Sequence, residues 1–274
     1  MTARTTRLRL WDACVLLFCA AILCGTFGAV GDNGRGRAKE AVCLANLHKW
    51  GGIFQAYLDD HNGYFMEGES GLPDGGSNRW VEALSPYHEY NERFMCCPEA
   101  TVPEVELDGS SNTGPHRFGS EFAWGYTSTP EWPRPMKGSY GINGWCSNPA
   151  PGQGPFSYPA DSYWRTSEVE GAAAIPVLVG ALQVHIRPRH YDCPPVYDWA
   201  PRMPRSDEME FACVNRHGGT VGCLFMDWSA RKVGLKELWT LKWHRKFDTS
   251  GPWTTAGGVT RSDWPLWMRE FKVY

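Results

Sequence analysis

The sequence predicts an α+β protein in which one long N-terminal helix spans a membrane and packs by its C-terminal half against an antiparallel β-sheet head with long loops. Three observations predict this. An uncharged apolar run, ACVLLFCAAILCGTFGAVG, fills residues 13–31. It leads into RAKEAVCLANLHKWGGIFQAYLDD, where Cys43, Leu47, Trp50, Phe54 and Tyr57 recur in steps of three and four, with Leu44 and Leu58 alongside. That period is the mark of one buried helical stripe. Finally, 30 Gly and 20 Pro in 274 residues call for many turns and irregular connections, and between them lie short runs of strand composition.

The apolar run is long enough to cross a bilayer, which takes about 18–20 apolar residues as a helix. Arg4, Arg7 and Arg9 precede it, and a short basic leader keeps an N-terminus in the cytoplasm. A cleaved secretory signal peptide is the competing interpretation; the length of the run and the lack of a convincing small-x-small site followed by a clean break favour a retained anchor. The chain then divides into a basic cytoplasmic leader at 1–9, a transmembrane helix at 10–31, a continuation of that helix at 32–62 and a soluble α+β head at 63–274. His61-Asn62-Gly63 ends the helix. Asp12 stands at the edge of the apolar run, where a carboxylate costs free energy unless it meets water or a partner. It is either an interfacial group beside Arg9 or a pairing group for another subunit.

Within the head, RWVEALSPY predicts a short helix ended by Pro86. FAWGYTS and GSYGINGW predict short strands, and AAIPVLVGALQVHI a strand pair broken near Gly180. The segment HIRPRHYDCPP brings His185, His190, Asp192 and Cys193 close in sequence. Without helical spacing or a second cluster, a solvated Pro-rich loop fits it better than a metal loop. TVGCLFM has strand alternation, with Val221, Cys223 and Phe225 on one face. Asp227-Trp228-Ser229 supplies a turn, and ARKV returns as the second strand of a hairpin. His217 and Asp227 are therefore separated by roughly 30 Å of extended chain, against about 3 Å for an acid–base pair. The two do not make one site in one protomer, and Asp227 serves the turn. LKELWTLKW and WPLWMREF, the latter capped by Asp263, predict helical segments over an edge or face.

Net charge is −3, which gives no basic face for nucleic acid. Of ten Cys, Cys14, Cys19 and Cys24 lie in the apolar run and seven lie beyond it. Seven is odd, so they cannot all pair within the chain, and no C-x-x-C occurs. Adjacent Cys96 and Cys97 either supply a staple to Cys43 on the helix, with Cys43–Cys97 the candidate disulfide, or remain free thiols. There is no nucleophile elbow, phosphate loop or His-Glu-x-x-His helix. The residues thus point to no catalytic group, no metal and no cofactor.

The pattern of His217, nine residues, then Asp227 resembles the C-terminal signature of prepilin-type, processing-associated pilin-like proteins, which are related to the pseudopilins of type II secretion. Trp228 stands where those proteins usually have Gly. Residues 37–65 resemble the family's post-membrane helix and its D-D-x-x-G-Y-F ending; residues 94–98 and GSYGINGW resemble two further elements in the family's order. The resemblance implies a pilin-like fold. It puts Asp12 where the family has a Glu that meets the amine of a neighbouring subunit, and it makes His217 and Asp227 structural. At the position of the family's processing site this chain has Arg7-Leu8, so cleavage and N-methylation are not implied. The implied role is a structural subunit of a type II secretion or type IV pilus-like assembly, acting by helix bundling and head-to-head contact. Its partners would be other pilin-like subunits, as a homo- or hetero-oligomer, and inner-membrane assembly machinery. Its implied place is the inner membrane, single-pass, with a cytoplasmic N-terminus and a periplasmic or extracellular head. The alternative function is a membrane-anchored extracytoplasmic carbohydrate-binding module that uses exposed Trp among the fourteen. Trp is large and usually mostly buried, which favours packing over sugar stacking.

Overall fold

The computed structural model describes residues 10–68, 80–89, 91–104, 119–126, 135–149, 158–198 and 207–274, with the side chains of residues 10–30 and of Asp32, Asn33 and Glu92 outside the description. The chain forms two units, Met1–Lys39 and a compact head, Glu40–Tyr274. Helix α1 runs through both, over Leu10–Asp60.

The head is built on the second part of α1. Leu47, Trp50 and Phe54 have no exposure, and Cys43, Tyr57 and Leu58 are nearly as buried. Val42, Ala45, His48, Lys49, Gly52, Gln55 and Asp59 on the opposite side are exposed. This is an amphipathic packing helix. It ends where Asn62 and Gly63 adopt left-handed φ values of 54° and 78° and the Gly63 amide donates to the Leu58 carbonyl at 2.8 Å, which satisfies an end carbonyl of the helix.

Among the described residues no helix is long and apolar enough to cross a membrane. This overturns the expected transmembrane helix at 10–31, the single-pass inner-membrane placement and the membrane-spanning part of the predicted fold class. A helix that crosses a bilayer needs about 20 consecutive predominantly apolar residues, and the side chains of α1 described beyond residue 30 form one apolar stripe with an exposed opposite side. The side chains of Asp12, Cys14, Cys19 and Cys24 lie outside the described residues.

Helix α2 is Trp80–His88. Pro86 lies inside its last turn rather than ending it. The strands are β1 Val102–Pro103, β2 Phe122–Tyr126, β3 Met136–Gly138, β4 Tyr140–Asn143, β5 Pro176–Gly180, β6 His185–Ile186, β7 Thr220–Phe225 and β8 Ala230–Gly234; the short helix α3, Glu208–Ala212, precedes β7. They form a three-stranded sheet in the order β1-β2-β3 and a five-stranded sheet in the order β6-β4-β5-β7-β8. Both sheets are mixed, which corrects the antiparallel expectation: β1 runs parallel to β2, and β6 parallel to β4.

The predicted strand pair in AAIPVLVGALQVHI also needs correction. β5 and β6 do not pair with each other; both pair with β4, one on each side. Gly180 at the end of β5 lies opposite Tyr140, the first residue of β4, so the chain has reached the end of its partner. Residues 181–184 then cross over β4 at Gly141. A Cβ there would lie 2.4 Å from the Gln183 carbonyl oxygen and 2.9 Å from Ala181 Cβ, so only glycine admits the crossing.

β7 and β8 form the hairpin read from the sequence, with Thr220 opposite Gly234 and Leu224 opposite Ala230. At the turn, Asp227 Oδ1 accepts from the Ser229 amide at 3.0 Å and the Ser229 hydroxyl at 2.6 Å, an Asx turn. Trp228 takes φ 65°, so a non-glycine residue occupies the left-handed position. α1 lies against this hairpin closely because Gly222 has no side chain: a Cβ there would meet Leu47 Cδ1 at 2.8 Å and Cys43 Sγ at 3.2 Å.

After β8 the chain makes only short 3-10 segments, at Leu235–Thr240, Arg261–Asp263 and Leu266–Met268, where longer helical segments were expected. Large side chains in and beside them are buried, among them Trp239, Trp243 and Trp264. His244 sits here against Trp145 and Phe247. Burial first, then the nearby charges of His190, Lys242 and Lys246, hold it down to about 4. Its ordinary value in an unfolded chain is about 6.5. As pH falls below that value the unfolded chain takes up this proton first, so the stability present above about pH 6.5 declines until about pH 4. The expected loss from His244 is about 3 kcal/mol. Urea unfolding at steps between pH 7 and 4 should show it in the wild-type chain, and His244→Phe should remove that part of the slope.

Candidate functional site

Three parts of the head converge beside α1. Cys43 comes from the buried stripe of the helix. Cys97 comes from the loop after the 3-10 turn Glu92–Phe94. His217 comes from the turn that enters β7. The donor atoms of all three lie within 4.8 Å of one another, and Cys97 Sγ is 3.3 Å from His217 Nε2.

Each residue is held by its own surroundings. The Cys97 amide donates to Ser139 Oγ at 2.6 Å, and Asn46 Nδ2 on α1 donates to the Cys96 carbonyl at 3.1 Å. The cysteine loop is thus fastened to both helix and sheet. His217 is fixed by a tight turn in which its amide donates to the Thr220 carbonyl, the Thr220 hydroxyl donates to the His217 carbonyl, and the Gly219 amide donates to Asn215 Oδ1. Gly218 and Gly219 take φ 58° and 84°, which glycine adopts at no steric cost. Tyr140 on β4 donates its hydroxyl to Cys43 Sγ at 3.3 Å.

Arg216 lies beneath the cluster with 6% exposure. Its Nε donates to the Ser120 carbonyl at 2.9 Å, one terminal nitrogen to Ser139 at 2.7 Å, and the other to Phe122 at 2.8 Å and Ala181 at 3.1 Å. All four acceptors are neutral backbone carbonyls. A buried guanidinium needs a counter-charge as well as hydrogen bonds, and its positive charge acts on the two thiols.

The two cysteines behave as a pair that shares a proton. A hydrogen bond from Cys43 is the main influence holding Cys97 down to about 5; burial opposes it, and His217 and Arg216 assist. The same hydrogen bond, with burial, pushes Cys43 up. The direction of both shifts makes Cys97 the more acidic of the two and Cys43 the less acidic. The pair is present as free thiols, as are the other five cysteines of the head. Its exposure is 2% at Cys43 and 1% at Cys97, and half-buried His217 forms the more accessible edge.

The sequence brought Cys43 and Cys97 together as a candidate pair but did not add His217 or Arg216. Nothing in linear spacing links position 217 to position 97; the contact exists because β7 lies next to α1. Asp227, ten residues after His217, stands at the opposite end of β7 and takes no part in the cluster. It borders a cleft of about 650 Å³ that also includes Asp59, Asn62, Glu168 and Trp228.

The segment from His185 to Cys193 is not a solvated loop. Asp192 is fully buried; it accepts from the Arg189 amide and Nε at 2.9 Å each and from the Met209 amide at 3.1 Å. His185 instead meets Arg187 at 3.1 Å, and His190 packs on Tyr191 and Phe247. This corrects the solvated-loop expectation: the carboxylate ties the turn to α3. Among the Trp residues with described side chains, Trp164, Trp228, Trp253 and Trp267 are half-buried and the others are buried. Comparison of the chain with protein-family profiles, curated proteins and solved structures finds no match.

Proposed function

We propose that the chain is a structural subunit of a pilin-like assembly, in which α1 helices from several copies bundle and the heads meet around them. One observation carries this reading. Helix α1 is 51 residues long, yet the compact head begins only at Glu40. The preceding part of the helix thus belongs to no head. A helix gains most of its stability from burying an apolar face, and residues 13–31 are free of charge. The same segment of neighbouring copies is a suitable partner, because helices with matching apolar surfaces pack in parallel or antiparallel bundles. The motifs in the order of pilin-like proteins support the same role.

The test is the mass of the full chain by light scattering after size exclusion, in mild detergent to suppress non-specific clumping. Discrete oligomers are expected for the wild-type chain. The double substitution Leu17→Asp and Ile22→Asp should return it to a monomer, while near-ultraviolet circular dichroism of the Trp-rich head stays unchanged. A wild-type chain that is monomeric at every concentration, or a double variant that stays assembled, rejects the proposal.

A further inference from the structure

We propose that Cys43, Cys97 and His217 form a three-coordinate site for copper(I), a monovalent thiophilic cation. The donor set is the first reason. It contains two sulfurs and one imidazole nitrogen and no carboxylate, and soft donors of this kind select copper(I), zinc or iron–sulfur clusters over hard cations. The second reason is spacing. An ion bonded at about 2.3 Å to sulfur and about 2.0 Å to nitrogen spans sulfur–nitrogen separations up to about 4.3 Å and sulfur–sulfur separations up to about 4.6 Å. The observed 3.3 Å between Cys97 Sγ and His217 Nε2 is well inside that range. The whole set, within 4.8 Å, needs only small side-chain shifts to close on one ion.

Coordination number and charge separate copper(I) from zinc. Zinc takes four donors in a closed site. Two polar groups beside the cluster are already engaged: the Tyr140 hydroxyl donates to Cys43 Sγ, and Ser139 Oγ accepts from the Cys97 amide. Copper(I) is satisfied by three. On binding, two copper–sulfur bonds and one copper–nitrogen bond form, and the thiol protons of the pair leave to solvent. Two thiolates and one monovalent cation carry a net charge of −1. Arg216, whose hydrogen bonds all go to neutral carbonyls, supplies the balancing positive charge. A divalent ion would leave an excess positive charge in a buried place, which is costly. Tyr140 acts as an outer hydrogen-bond donor that orients the Cys43 sulfur, and half-buried His217 marks the side from which the ion enters.

The test uses the full chain, purified reduced and metal-free, and titrated anaerobically with copper(I) acetonitrile complex against bicinchoninate as competitor. One copper(I) per chain should be retained, with an ultraviolet thiolate-to-copper absorption. Cys97→Ser should abolish retention, and His217→Gln should weaken it at least about tenfold. Because a substitution in the core can disturb folding, X-ray absorption of the copper-loaded wild-type chain reads the ligands directly; two sulfurs and one nitrogen are expected. Failure to keep copper against the chelator, a ligand shell without that composition, or zinc(II) displacing copper(I) at equal concentration overturns the proposal. So does an intact mass showing a Cys43–Cys97 disulfide that persists under the reducing conditions.

Discussion

Arg216→Met should destabilise the head by about 4 kcal/mol, enough to unfold a marginal domain. The guanidinium is one fork that joins four separate backbone positions. Ser120 and Phe122 belong to β2 and its approach, Ser139 joins β3 to β4, and Ala181 follows β5. Methionine fills similar volume but removes the guanidinium's four hydrogen bonds; the Ser139 carbonyl keeps the Ala181 amide as a donor at 2.8 Å, and a buried acceptor left unsatisfied costs about 1–3 kcal/mol. These costs overlap because the carbonyls relax together, so the total is less than their sum. Arg216→Lys should rescue little, since an ammonium cannot reproduce the planar fork. Urea unfolding followed by Trp fluorescence measures both. With a slope of about 1–3 kcal/mol/M, the midpoint should fall by more than about 1 M. A change below about 0.5 kcal/mol would show that Arg216 does not join the two sheets.

The second large effect is expected at Trp50. Its ring is fully buried and meets Trp80 at 4.9 Å, Phe94 at 5.0 Å and His88 at 5.3 Å between centroids, all edge-on. It is one of the contacts by which α1 holds α2 and the segment that leads to the cysteine loop. Trp50→Ala should cost about 3–5 kcal/mol through lost burial and the cavity left behind. Trp50→Phe should cost much less. The indole nitrogen has no hydrogen-bond partner among the described residues, so phenylalanine removes an unsatisfied donor together with some packing. If thermal unfolding places the two variants together, the cost lies in the indole shape and not in the volume.

What could be read from the sequence was local. The stripe from Cys43 to Leu58 and the alternation from Val221 to Phe225 each depend on a period within one element, and the turn at Asp227 depends on one side chain and its neighbours. What escaped was the pairing of elements distant in sequence. β6 lies parallel to β4 because Gly141 admits a crossing chain, and no pattern within AAIPVLVGALQVHI records that. His217 meets Cys97 across 120 positions through the close approach of α1 to β7 at Gly222. The buried role of Asp192 was hidden for the opposite reason: Pro and charged residues around it have loop composition, while its hydrogen bonds lead inward. The membrane-spanning expectation came from apolarity along the chain at 13–31, a property that does not distinguish lipid from another helix as the covering partner.

The borders of the larger sheet bear on how crowded copies of this protein behave. On one side the sheet ends in β6, only two residues long. On the other it ends in β8, where Arg231 and Lys232 are exposed and Lys232 forms an ion pair with Glu40 at 2.8 Å. Short or cationic margins are poor templates for strand addition. Molecules brought to high local density are thereby protected from fusing into amyloid-like stacks.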